Sequence, residues 1–158
     1  GNKSTKQQRY ENASKTGVFA MEDKTLTSFP SDALKIPSLR ILHIENCGLS
    51  KLPPDISKAG ATLQRLELSR NKLSRLPDVA AALQNLQKLD VSMNVLEELP
   101  EPLFAAMAKL KEASLANNRL TVHPPPLPAH KHAAATLQLQ RGSFCGQKAA
   151  LWFLTCLL

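Results

Sequence analysis

One spacing governs what this chain can fold into. Leu39, Leu42, Ile44, Cys47, Leu49, Leu52 and Pro53 recur as Leu63, Leu66, Leu68, Asn71, Leu73, Leu76 and Pro77. They recur again as Leu86, Leu89, Val91, Asn94, Leu96, Leu99 and Pro100, and a fourth time as Leu110, Ala113, Leu115, Asn118, Leu120, His123 and Pro124. A weaker copy precedes them (Phe19, Met21, Leu26, Phe29, Pro30), and a trace follows at Leu137, Leu139 and Phe144. A unit of this length cannot bury its own apolar side, whereas stacked units bury a continuous core. The two leucines flanking one residue predict a short strand whose alternate side chains point inward. The recurring Asn predicts a buried amide that satisfies backbone groups left open where the chain turns. Cys47 stands once in that place, a small group that tolerates burial.

Composition agrees with one repeated role for one residue type. Leucine supplies 27 of the 158 residues, and only seven are aromatic. An apolar share of 43% with 21% charged excludes a disordered chain. No unbroken apolar run exceeds six residues; that at 149–154 extends to 158 if Thr155 is included, and a bilayer span needs about 20 residues. Residues 1–16 lack the apolar centre of a secretory signal. Three unclustered cysteines, Cys47, Cys145 and Cys156, argue against a disulfide framework and structural zinc, and favour a reducing compartment.

The pattern LxxLxLxxNxLxxLP resembles that of leucine-rich-repeat proteins. The resemblance implies an α/β repeat fold: a right-handed solenoid with a parallel sheet on its concave face. Gly1-Asn2, Lys15 to Phe19 and Leu26 to Pro30 are further similar to the start of the short intracellular family called leucine-rich-repeat-containing protein fifty-seven. That similarity covers 1–124 and implies a cytoplasmic or membrane-associated interaction protein. Three segments are expected. Residues 1–16 form a basic segment with a short capping helix over 6–16, opened by a capping box at Thr5-x-x-Gln8 and closed at Gly17. Residues 17–124 hold a half-repeat and four repeats. Residues 125–158 hold a Pro-rich exit, a degenerate repeat and an apolar tail, Leu151 to Leu158, which needs cover on both sides.

The net charge of +7 and the pI of 9.5 belong to the ends. Residues 16–124 carry thirteen bases against twelve acids, which is poor support for a nucleic-acid partner. The His residues (His43, His123, His130, His132) have no Cys or carboxylate at ligand spacing in the sequence, and no phosphate loop or nucleophile motif occurs. The expectation is therefore neither enzyme nor metalloprotein, with no cofactor. Gly1-Asn2-Lys3-Ser4-Thr5 fits an N-myristoylation pattern, with Lys3, Lys6, Arg9 and Lys15 as the second membrane signal. The competing reading is an expression scar followed by a solvated tail.

The register names the residues of the exposed sheet face. They are Ile41, His43 and Glu45; Arg65, Glu67 and Ser69; Lys88, Asp90 and Ser92; Glu112 and Ser114. Val18, Ala20, Glu22 and Ala116 flank them. This face is the expected site for a protein partner. A second strip, Lys51, Arg70, Lys72, Arg75 and Arg119, lies on the loop edge after the strands. The expected role is an intracellular interaction module, cytoplasmic or peripheral at a membrane through Gly1. The competing role is a structural subunit inside a larger assembly.

Overall fold

The computed structural model describes residues 5–26, 28–100, 103 and 106–120, together with 136–138. The capping residue Thr5 (as a side chain), Gly1, the Pro-rich exit, His123, His130, His132, Cys145, Cys156 and the apolar tail lie outside the described residues.

Among the described residues, six parallel strands form one sheet in sequence order: β1 Val18–Glu22, β2 Ile41–Glu45, β3 Arg65–Glu67, β4 Lys88–Asp90, β5 Glu112–Ser114 and β6 Thr136–Gln138. The pairing follows the repeat residue by residue. Leu42 sits opposite Phe19 and Leu66, Leu89 opposite Leu66, and Ala113 opposite Leu89 and Leu137. The weak first copy yields the longest fully paired partner, five residues matched to β2. The trace after Leu110 is a real continuation: β6 extends the sheet, with Leu137 in the column of Leu42.

Parallel strands need a return path outside the sheet. Among the described residues, 3-10 helices at Ser31–Lys35, Pro54–Ala59 and Asp78–Ala82 supply it for the first coils. Pro30, Pro53 and Pro77 immediately precede them. A proline ring fixes φ and removes a donor that the start of a helical turn leaves unused. Between sheet and returns, Leu39, Leu42, Ile44, Leu63, Leu66, Leu68, Leu83, Leu86 and Val91 are buried. The strands show strict alternation, Leu66 buried between the more open Arg65 and Glu67. Gly60 marks how closely two returns approach, since a Cβ there would lie 2.4 Å from the Ala82 carbonyl oxygen.

Helix α1, Thr5–Thr16, precedes β1 and buries Ala13 completely. The Tyr10 ring meets Phe19 at a centroid distance of 5.2 Å, an aromatic contact of the tilted kind. Gly17 ends the helix with φ +72° and donates its N–H to the Ala13 carbonyl at 2.8 Å.

Strands β1 to β5 each leave through the left-handed backbone region. Asp23, Asn46, Arg70, Met93 and Asn117 all have φ between +49° and +56°. The N–H of each of the first four bonds a carbonyl of the next coil, Asp23 to Glu45, Asn46 to Ser69, Arg70 to Ser92 and Met93 to Ala116. The left-handed turn therefore builds a second ladder beside the sheet.

Just beyond it lie the buried amides. Asn71, Asn94 and Asn118 are each about as buried as the leucines. Asn71 Oδ1 accepts from the N–H groups of Cys47 and Leu49, while Nδ2 donates to the carbonyls of Ile44, Leu68 and Ser69. Asn94 accepts from Leu73 and donates to Leu68, Val91 and Ser92. Asn118 accepts from Leu96 and donates to Val91, Leu115 and Ala116. The Cys47 thiol donates to the carbonyls of Glu45 and Met21, at 3.1 and 3.6 Å, so it keeps part of this bonding.

Candidate interaction face

The alternation that buries the leucines presents the intervening side chains on the other side of the sheet. Three columns result. The first runs Val18, Ile41, Arg65, Lys88, Glu112, and the second Ala20, His43, Glu67, Asp90, Ser114. The third follows the strands: Glu22, Glu45, Ser69, Ser92. Arg65, Glu112, Val18 and Glu22 are exposed, and Ile41, His43, Glu45, Glu67, Ser69, Lys88, Asp90, Ser92 and Ser114 are half-buried. Ala116, expected to face outward with this third column, is instead buried at 9% exposure. Its small side chain sits where the strand has already turned toward the core residue Asn118.

Charges on this face are partly tied to one another. Lys88 Nζ lies 3.5 Å from Glu67 Oε1 and 3.6 Å from Glu112 Oε2, so it bridges two carboxylates across neighbouring strands. Arg70, from the loop edge, reaches back to Glu45 at 3.6 Å. Asp90 turns inward on its own coil, accepting from the N–H and the hydroxyl of Ser92. The Arg65 side chain has no hydrogen bond or ion pair among the described residues. Exposed ion pairs contribute about 0–1 kcal/mol each, so these contacts orient side chains more than they stabilise the fold.

His43 occupies the most charged position. Its Nδ1 is 2.9 Å from Glu67 Oε2, an N–H donating to a carboxylate. Its Nε2 lies 3.0 Å from Glu22 Oε1 and 3.7 Å from Glu45 Oε2. Neither of those contacts has hydrogen-bond alignment, so Nε2 is buried in carboxylate surroundings without a bond. The spacing of the histidines along the chain carries no sign of this gathering. Glu22 and Glu67 lie on the strands flanking β2, each more than twenty residues from His43. The signal lies in the register alone: Glu67 follows His43 in its own column, and Glu22 and Glu45 stand in the column beside it. No group of three or more His, Cys, Asp or Glu that could hold a metal ion occurs among the described residues.

The second predicted strip is exposed throughout, at Lys51, Arg70, Lys72, Arg75 and Arg119. Two of its five cations are engaged: Arg70 with Glu45, and Arg75 Nη2 with Glu98 Oε1 at 3.4 Å. No helix among the described residues is long and apolar enough to cross a membrane.

Comparisons with known proteins agree with this geometry. The leucine rich repeat family profile matches residues 37–96. Among solved structures, YopM from Yersinia enterocolitica WA-314 superposes with a TM-score of 0.63 at 25% sequence identity. The match covers 93% of this chain and 30% of the YopM chain, so this chain spans less than a third of that relative. Together with the parallel ladder and its buried asparagines, these matches show a leucine-rich-repeat solenoid fold.

Proposed function

We propose that this chain is a protein-interaction module that receives its partner on the solvent face of the sheet, the concave side in this fold class. Leucine-rich-repeat domains generally mediate protein–protein interaction. The observation that carries the reading is Arg65: an exposed guanidinium without a described partner, at the centre of a face whose other cation, Lys88, is already held by two carboxylates. A rigid sheet behind it fixes its position. No aromatic side chain lies on the described part of the face, and aromatic anchors dominate the tightest interfaces, so moderate affinity is expected. No catalytic residue is assigned.

The finer reading places the chain near the leucine-rich-repeat-containing protein fifty-seven family, with Gly1 acylated where it stands at the N-terminus. A single acyl chain binds membranes marginally, and Lys3, Lys6, Arg9 and Lys15 would add about 1 kcal/mol each at an anionic surface. This gives a cytoplasmic protein held peripherally at a membrane. Intact mass of natively expressed protein tests it: an acyl increment lost in Gly1→Ala supports the tether, and its absence from the unaltered chain ends it.

The partner site has its own experiment. Proteins recovered with the unaltered chain should be lost from the Arg65→Glu/Lys88→Glu variant and retained by Arg70→Glu/Lys72→Glu. Both variants should keep the unaltered melting midpoint to within a few degrees. Retention on the first variant and loss on the second would move the site to the loop edge.

A further inference from the structure

We propose that the sheet edge where the strands begin is a separate docking groove for an extended acidic peptide, with its carboxylates four residues apart. A cavity of about 490 Å³ opens there, bounded by the cations Lys15, Arg40 and Lys109 and by the amides Gln64, Asn85 and Gln87. No carboxylate lines it. The backbone ladder sets the spacing: the Gln64 N–H donates to the Arg40 carbonyl, Gln87 to Gln64, and Lys111 to Gln87. Arg40, Gln64, Gln87 and Lys111 thus form one row crossing four coils. Three strand spacings make that row about 14 Å long.

Two of the cations are held in place. Arg40 Nη2 donates to the Thr16 carbonyl at 3.3 Å, and Gly17 leaves room for it, since a Cβ there would stand 3.1 Å from Arg40 Nε. Lys109 Nζ donates to Asn85 Oδ1, and Asn85 Nδ2 in turn donates to the Ala61 carbonyl at 2.8 Å. The side-chain amides of Gln64 and Gln87 have no partner among the described residues. The row Arg40, Gln64, Gln87, Lys111 reads cation, amide, amide, cation; Lys111 is exposed and continues the row beyond the residues that bound the cavity.

The chemistry selects the occupant. A glutamine amide offers both a donor and an acceptor, and a peptide bond is its complement. Phosphate oxygens only accept, so a polyanion would leave the glutamine carbonyls unmatched. No aromatic ring lines the groove to stack a base. An extended peptide advances about 3.4 Å per residue, so carboxylates at positions i and i+4 stand about 14 Å apart, the length of the row. This surface is distinct from the sheet face, and its test does not depend on the reading given for that face.

Fluorescence anisotropy with a labelled peptide provides the test. The probe carries glutamates at its first and fifth positions in a Ser/Thr/Ala background. The comparison peptide has the same composition with the two glutamates adjacent. The spaced peptide should bind roughly threefold tighter, and Lys111→Glu or Gln64→Ala/Gln87→Ala should each weaken it about two- to fivefold. Arg65→Glu/Lys88→Glu should leave it unchanged. Equal binding of the two peptides, loss on the Arg65/Lys88 reversal, or no binding at millimolar peptide would overturn the proposal. Displacement by anionic vesicles or RNA at lower charge concentration than by the peptide would overturn it too, since a polyanion would then be the better occupant.

Discussion

Replacing the buried asparagines by alanine one at a time should give unequal losses, and the hydrogen bonds say which loss is larger. In Asn94→Ala the Leu73 N–H loses its acceptor. The three carbonyls that Asn94 served keep another donor: Leu68 from Asn71, Val91 from Asn118, and Ser92 from the Arg70 N–H. One buried donor is stranded, at about 1–3 kcal/mol. In Asn71→Ala the N–H groups of Cys47 and Leu49 both lose their acceptor. The Ile44 carbonyl also loses its side-chain donor, because the Cys47 thiol bonds Glu45 and Met21 instead. Three stranded groups put the cost at about 3–5 kcal/mol, a large share of the roughly 5–15 kcal/mol total of a domain. Urea unfolding followed by circular dichroism gives both values. Amide hydrogen exchange should show Leu73 deprotected in the first variant and Leu49 in the second. Equal losses, or a larger loss for Asn94→Ala, would refute the assignment of cost to stranded groups.

Three shorter tests address the turns, the thiol and the start of the sheet. Met93 is 47% exposed with φ +54°, a backbone conformation that disfavours it by about 1–2 kcal/mol, so Met93→Asn should raise the unfolding free energy by about 0.5–1 kcal/mol; an unchanged or lower value would count against the left-handed turn. Cys47 is 1% exposed, so in a Cys145→Ser/Cys156→Ser background a thiol reagent should label it only as fast as the protein opens. Gly17→Ala would place a Cβ 2.5 Å from the Ser38 carbonyl oxygen at φ +72°, and should cost more than about 1–2 kcal/mol in thermal unfolding.

Most of the solenoid was legible because each inward position announces itself by recurrence. Leu42, Leu66 and Leu89 align in the sheet as they align in the sequence, and Asn71, Asn94 and Asn118 are buried as their spacing requires. β6 was only a trace, since Leu137, Leu139 and Phe144 are all that recurs there, without the Asn or the Leu-Pro pair of the repeat. The left-handed turns were missed because Arg70 and Met93 carry no sign of such a backbone. Asp23, Asn46 and Asn117 in the same place were the available signal, being residue types that tolerate it. The groove at the strand starts was missed for another reason. Its residues flank the first leucine of each repeat, a position the repeat leaves free to vary, so Arg40, Gln64, Gln87 and Lys111 look unrelated until the ladder sets them in a row.

Cys47 gives this polymer of coils an end group. From Asn118 through Asn94 to Asn71, each amide shares a carbonyl with the next, Val91 and then Leu68, so the amides form one unbroken filament along the axis. At Cys47 the filament stops, because a thiol has one hydrogen to donate and no amide oxygen with which to receive. A further identical coil on the N-terminal side would find no amide oxygen at that point to accept from its backbone N–H groups. The chain changes building material there, passing to the aromatic pair Tyr10 and Phe19 and to the helix that carries Ala13.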